Sequence, residues 1–410
     1  MTRTIIDVHV LQTVPPSNLN RDDTGAPKTA VYGGVRRSRV SSQAWKRSTR
    51  RAFGELLDPS ELGVRTRKVV ELLAERIGRL DPSLGGTAGA EGARADELVL
   101  AFAAETIKVA TGSKVEVPKR KAKNAKDGDE EAVLAPESLY LMFLSSRQLD
   151  GLAELAVEGL GSERELKDFF ADKEIKARAR ALADSRHSVD IALFGRMVAD
   201  AADINVDAAA QVAHALSVHA VENESDYFTA VDDRNTDSES GAGMIGTVDF
   251  NSATLYRYAA LDVDRLRDNL GAGLDEDRPG SEPVRRAVEA FVHAFVNSIP
   301  TGKINTFANH TLPDAVVVKL RTARPVSFVG AFEKPVTADV TGGHLEGACR
   351  ALAAYVPEVE RAYGAGAPGS TWVVRVGSAT QALAGLGEEL SLDGLVKSVG
   401  NAVESRLGGV

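Results

Sequence analysis

The order of apolar and polar positions divides the chain into segments of different kind. Residues 4–11, TIIDVHVL, are β-branched and apolar with polar interruptions only at Asp7 and His9, which predicts a largely buried strand. The next stretch, QTVPPSNLNRDDTGAPK, carries paired prolines, Asn20, Asp22, Asp23 and Gly25, and predicts turns without regular structure. After Gly33 and Gly34 comes a short strand, RRSRV, and then a helix from about residue 43, with Ser41 or Ser42 as its N-cap. That helix sets Trp45, Thr49 and Ala52/Phe53 on one face, with Lys46 and Arg50 on an adjacent one.

From about 56 to 185 alanine, leucine and charge dominate. The apolar spacing is helical at Val69, Leu72, Leu73 and Ile77 and again at Leu139, Met142 and Phe143, and Ser162 to Glu165 matches a capping box. This block predicts a helical insertion, interrupted by a charged loop, KRKAKNAKDGDEE, at 119–131. SVDIALF at 188–194 predicts a return to strand, and VDAAAQVAHALSV a helix. HAVENESDYFTAVDD and MIGTVDFNSATLYRYAAL flank a polar stretch, which predicts an extended hairpin projecting from the core. The last 150 or so residues alternate helix and strand without a long parallel series, favouring an α+β sandwich of ferredoxin type.

Composition sharpens this picture at one place. Residues 28–51 hold eight Lys or Arg (Lys28, Arg36, Arg37, Arg39, Lys46, Arg47, Arg50, Arg51) and no acid, so removing their +8 from the chain's −9 leaves −17 on the other 386 residues. A polyanion meets the local field of such a patch and not the net charge. A solvated helix face would intersperse acids for i,i+4 pairing, and none occur here. The segment also has the parts of a phosphate track: a Gly-Gly that lets backbone approach, Arg37 and Arg39 on alternate strand positions, and Ser41, Ser42 and Gln43 at a helix N-terminus. Tyr227, Phe228 and Met197 are the candidates to meet bases, with packing of Phe228 in the hairpin core an equal alternative.

Other motifs fail on context. GAGAPG at 364–369 follows a helix and precedes a strand, the reverse of a dinucleotide fingerprint, and fits a helix-terminating loop. TGKINT lacks the first glycine of a phosphate-binding loop, since Asn297 stands there, though Lys303 could touch a phosphate singly. DRNTDSESGAGM has Ser238 and Met244 where a calcium loop needs Gly and Glu, and suits a flexible acidic tip. The seven histidines show no metal spacing, and no cofactor is expected. The single cysteine, Cys349, excludes an internal disulfide and a Cys-based zinc site and suits a cytoplasmic protein. No apolar run approaches a membrane span, and MTRTIIDVHV, with an acid inside its apolar stretch, reads as a strand and not a signal peptide. A ribonuclease acting through one His and one Lys would be assembled only in the fold, and an acidic scaffold whose basic segment binds an acidic protein is a third class.

The segments IIDVHVLQTVPPSNLNRDD, AVYGGVRRSRVSSQAWKRSTR, VDIALFGRM, YFTAVDD and FNSATLYRYA resemble, in that order, the CasC family, the backbone subunit of the type I-E CRISPR surveillance complex Cascade. The resemblance runs from residue 5 to about 265 and is weaker in the helical block and the C-terminal third. It implies a modified RNA-recognition-motif palm (1–55, 186–222 and 255–410), helical fingers (56–185) and a protruding β-hairpin thumb (223–254). It further implies a non-enzymatic subunit whose copies polymerise along CRISPR RNA and present it to a target DNA strand, with other Cascade subunits at the ends and along the belly and no membrane partner. Matching positions put guide contacts on Arg21, Lys28, Arg37, Arg39, Ser41, Gln43, Lys46 and Arg50, with Arg196 and Met197 beside them; Arg36, Ser42 and Arg47 complete the expected RNA-binding set. Tyr227 and Phe228 fall at the family's aromatic wedge, with Thr229 and Met244 also on the thumb. An endoribonuclease that processes the precursor transcript is the competing function.

Overall fold

The computed structural model describes residues 3–84, 90–118, 135–198, 202–230, 244–271, 280–338, 343–364 and 370–408. The chain divides into two compact units. One comprises Met1–Leu56, Ala210–Asp264 and Ser281–Val410, and the other Leu57–Ala209 with Arg265–Gly280.

The first unit is built on a mixed sheet of ten strands. Strand β1 (Ile5–Ser17) lies at its centre, antiparallel to Met244–Asp262 on one side and to Ala315–Arg321 on the other. Every residue from Ile5 to Gln12 is buried, which is why the segment shows no polar alternation. On one face Leu11 and Val317 pack with Phe328, Phe332 and helix Leu345–Tyr363 through Cys349, Leu352 and Val356. The polar interruptions also belong to that face. Asp7 accepts hydrogen bonds from Tyr258 Oη (2.8 Å) and Val326 N (3.0 Å) and pairs with Arg321, while His9 stacks on Phe328 at 4.5 Å. Burial raises the Asp7 pKa against the pull of Arg321, and burial holds His9 neutral.

Beyond Met244–Asp262 the sheet continues through Ala215–Ser217 to β3 (Val35–Val40) and the edge strand β2 (Thr29–Tyr32). Helix α1 (Ser42–Ala52) follows β3 directly, capped by the Ser41 hydroxyl, which accepts from Ala44 N. Trp45, Thr49 and Phe53 are buried, as the sequence pattern predicts. Behind Trp45 lies Arg257, fully buried, its guanidinium 3.8 Å from the Trp45 ring and 4.7 Å from Phe295. Arg257 donates to Gln12 Oε1 (2.7 Å) and to the Phe295 carbonyl, and burial lowers its pKa to about 9. This cation ties α1 to the sheet and to helix Ser281–Asn297.

The second unit is mainly helical, with a core of Val70, Leu73, Ile77, Phe102, Ile107, Leu149, Leu152, Phe169 and Phe170 among others. It reaches beyond the expected 56–185 block, to Ala209 and through Arg265–Gly280. Within it Leu139–Leu141 are exposed and Met142–Ser145 form a strand paired with Gly63–Thr66, so the helical spacing expected at 139–143 does not hold. The capping box stands at Ser145 and Gln148; the Ser162 hydroxyl instead donates to the Gly159 carbonyl (2.7 Å).

Three further expectations are corrected. Val189–Phe194 is a helix and not a strand, because a short apolar run buried all round carries no periodicity to separate the two. It ends at Gly195, φ +77°, where a Cβ would meet the Val206 carbonyl at 2.6 Å. Ala210–Val212 and Ala215–Ser217 are strands despite their alanines, because Met244–Asp262 recruits them (Leu261 opposite Ala210, Tyr256 opposite Leu216) and tertiary pairing overrides propensity. β1 also runs on through Pro15 and Pro16 to Ser17, with a register shift between Val14 and Ser17 that absorbs the missing donors. Gly364, φ +60°, ends helix Leu345–Tyr363 as the helix-terminating reading requires. The charged loop at 119–131 and the polar tip at 233–243 lie outside the described residues. Among the described residues, no helix is long and apolar enough to cross a membrane.

Candidate nucleic-acid interface

The basic segment folds as hairpin β2–β3 followed by α1. At about 100° per residue, Gln43, Lys46 and Arg50 occupy one strip of α1 about 60° wide, on the side away from Trp45. Arg47 and Arg51 lie on the next strip with Ala44 and Ser48. Gln43, Arg47 and Arg51 are exposed, and Lys46 and Arg50 half-buried. Burial lowers the Lys46 pKa from its ordinary value. Ser42 opens the helix, half-buried, and Ser41 is buried with its hydroxyl engaged as the cap.

On the hairpin, Arg36 is exposed opposite Val31, and Arg39 is half-buried beside Lys28 and His214. Arg39 Nε donates to the Thr29 carbonyl (3.3 Å), and its Nη1 lies 3.3 Å from His214 Nδ1. The His214 pKa is lowered by burial first and then by Arg39 and Lys28. Two cations and an imidazole therefore share one corner of the sheet edge.

Arg37 departs from expectation. It is 0% exposed and donates to four backbone carbonyls: Tyr32 (3.1 Å), Ser217 (3.0 Å), Phe332 (2.9 Å) and Glu333 (3.1 Å). Its charge is committed to holding the hairpin, so it is not a phosphate contact. Gly33 has the same partner, since a Cβ there would lie 1.7 Å from the Glu333 carbonyl. The close approach that Gly33 permits is therefore to the chain's own 329–333 turn and not to a nucleic acid.

Arg196, in the helical unit, is corrected in the same way. It is 4% exposed and donates to the Ile204 carbonyl (2.8 Å), Gln148 Oε1 (3.2 Å) and Asp184 Oδ1 (3.2 Å). Burial lowers its pKa to about 10 against Asp184. Its neighbour Met197 is 86% exposed. A buried cation here presents an exposed thioether.

Glu224–Ala230 and Met244–Asp262 pair from Glu224 opposite Phe250 to Ala230 opposite Met244, giving the two arms of the expected hairpin. Tyr227 and Thr229 share a face with Ile245 and Thr247, and Tyr227 is 70% exposed. Phe228, 44% exposed, covers Gly246, where a Cβ would meet the ring at 2.6 Å. Packing within the hairpin thus accounts for one side of Phe228 and leaves the other to solvent.

Arg21 and Arg47 line a separate cleft of about 680 Å³ with Arg51 and Lys303. Sequence reading assigned Arg51 no role and missed Arg257; the single-file TGKINT match was the only signal for Lys303. Among the described residues no group of three His, Cys, Asp or Glu could hold a metal.

The chain thus combines an α+β unit, with a basic hairpin-and-helix edge and a β-hairpin arm, and a helical unit. The family model for the CT1975-like protein matches residues 6–398, and the chain belongs to that family. The CasC-type resemblance drawn from the sequence is borne out. A chain of a solved "CRISPR RNA-guided surveillance complex, pre-nicking" is similar at 32% identity and a TM-score of 0.77, over 97% of this chain and 100% of that one. A chain of a second "CRISPR RNA-guided surveillance complex" is similar at 29% identity and a TM-score of 0.67, over 97% and 99%. A search of curated proteins finds no match.

Proposed function

We propose that this chain is the RNA-carrying backbone subunit of a type I-E Cascade complex, acting in the cytoplasm without catalysing a reaction. The observation that carries the reading is the end-to-end likeness, over 97% of this chain and 100% of the other, to a chain of an RNA-guided surveillance complex. The sheet-based unit serves as a modified RNA-recognition-motif palm, the helical unit as fingers and the 223–254 hairpin as the thumb, its arms paired over Glu224–Ala230 and Met244–Phe250. Lys28, Arg36, Arg39, Gln43, Lys46 and Arg50 hold guide phosphates without reading bases, so that any spacer can be carried. Sequence is then read by pairing of the guide with a DNA strand. Copies of the chain share one RNA, and avidity along it turns a weak single site into a stable filament.

The test is filter binding of Lys46→Ala combined with Arg50→Ala against two guides of unrelated sequence. Equal weakening for both, with the salt slope shallower by about 0.7 per lost phosphate contact, is the expected result. Unchanged binding, or loss for one guide alone, would refute it. Repeat RNA incubated with the purified protein is expected to stay intact; cleavage would favour the endoribonuclease reading.

A further inference from the structure

The hairpin arm leaves the sheet at a definite joint. Met244–Asp262 pairs with β1 only from Asn251 onward, Asn251 lying opposite Ser17. The stretch before it, Met244–Phe250, pairs with Glu224–Ala230 and with no other strand among the described residues. The register shift between Val14 and Ser17 falls at the same level, and such irregularities bend a ribbon. The direction of the arm therefore depends on what holds Asn251.

Buried polar side chains hold it. Asn251 Oδ1 accepts from Ser38 Oγ (3.1 Å) and its Nδ2 donates to Asn223 Oδ1 (2.9 Å), so one side chain ties β3 to both feet of the arm. Val221 N donates to the Arg36 carbonyl (3.0 Å), a second tie between the first foot and β3. Asn18, fully buried, donates from Nδ2 to the Asp249 carbonyl (2.8 Å) on the arm and to the Gly25 carbonyl (2.9 Å) in the 20–28 loop. Its Oδ1 is buried with no partner among the described residues, which is unfavourable. An apolar side chain would avoid that cost but could not bridge loop and arm.

The bridged segments are those that carry the candidate cations. Ser38 stands between Arg37 and Arg39, and Gly25 between Arg21 and Lys28. Ser17, Asn20, Ser38 and Asn251 enclose, with Lys28 and Arg39, a cavity of about 10 Å³, which has room for one water at most. Packing this close passes a shift of Lys28 or Arg39 on to Asn251.

We propose that Asn18 and Asn251 are positioning residues that couple the Lys28–Arg39 corner to the hairpin arm. RNA held at the corner sets the direction of the arm, and a contact made by the arm tightens the corner in return, since such coupling is reciprocal. The inference rests on the RNA-carrying reading and gives neither asparagine a contact with RNA. Every residue it uses lies in the sheet-based unit.

The test is a cycle of affinities, measured on the full chain with fluorescein-labelled single-stranded RNA long enough for several copies. Lys28→Ala weakens the corner and Tyr227→Ala the arm, singly and together, in the otherwise wild-type chain and in chains that also carry Asn251→Leu or Asn18→Leu. In the otherwise wild-type chain the combined loss is expected to differ from the product of the single losses by about fivefold or more. With either leucine in place it should move to that product, a change that an effect on stability alone would not produce. Ser38→Ala, which deletes one hydroxyl bond to Asn251, serves the same comparison if a leucine variant does not fold. Independent losses in the otherwise wild-type chain, or a departure that is undiminished in all these variants, overturn the proposal and leave the RNA-carrying reading intact. Unchanged affinity in Lys28→Ala, Tyr227→Ala and Lys46→Ala/Arg50→Ala alike strikes at the RNA-carrying reading, and the coupling falls with it.

Discussion

Arg37 and Glu333 clamp the turn end of the basic hairpin: Nη2 of the arginine donates to the Glu333 carbonyl at 3.1 Å, while Gly33 packs so tightly on that carbonyl that no side chain fits. Three further carbonyls complete the clasp. Arg37→Met is therefore expected to leave four carbonyls without their donor and to cost about 4 kcal/mol, at roughly 1 kcal/mol for each. Urea unfolding measures it, and a loss below about 1 kcal/mol would show that the clasp is not structural. The folded fraction should keep the wild-type salt slope for RNA, since no phosphate contact is removed.

The hairpin arm gives a prediction of opposite kind. Phe228→Ala or Tyr227→Ala removes exposed aromatic area from a projecting ribbon, so thermal stability of the monomer should scarcely change. If bases stack on these rings, affinity for single-stranded RNA falls by about 1–3 kcal/mol per base with the salt slope unaltered. Gly246→Val should act on the same quantity, because its side chain would displace the Phe228 ring. Affinity titrations at two salt concentrations separate this from loss of a phosphate contact.

His214 should couple RNA binding to pH. Burial, Arg39 and Lys28 hold it neutral in the free protein, and an arriving phosphate would offset those cations and favour the proton. Affinity is then expected to rise as pH falls through about 6.5 and below, toward the lowered value of the free protein. His214→Asn should flatten that rise relative to the wild type. A wild-type profile already flat over this interval would count against the placement of phosphate at the Lys28–Arg39 corner.

His219 governs stability instead. Its Nδ1 donates to the Ala220 carbonyl (2.8 Å), its Nε2 accepts from Thr254 N (3.1 Å), and its ring stacks on His344 at 3.8 Å. Burial lowers its pKa from 6.5 to about 4. Because the folded-state value lies below the unfolded one, the unfolded chain takes up the proton first as pH falls. Stability present above about 6.5 is thus lost progressively down to about 4, by at most about 3 kcal/mol from this group. Denaturant melts across that window should show the decline, and His219→Gln should reduce its steepness.

The sequence by itself determined the elements whose signal is local. The buried strand at Ile5, the Ser41 cap, the Trp45–Thr49–Phe53 face of α1 and the hairpin arms around Tyr227 all follow from side-chain period and turn chemistry, and the family resemblance needed only the order of short motifs. The clustering of cations at 28–51 was equally plain. Where each cation points was not. Arg37 and Arg196 are turned inward by carbonyls and a carboxylate contributed from distant segments, and Val189–Phe194 and Ala210–Val212 took their form from partners that sequence spacing does not name. Lys303 and Arg51 meet across a cleft although 252 positions separate them along the chain. A linear pattern fixes the period of a segment and the charge it carries; which groups end up desolvated, and which remain free for a ligand, depends on long-range packing and was decided only by the tertiary structure.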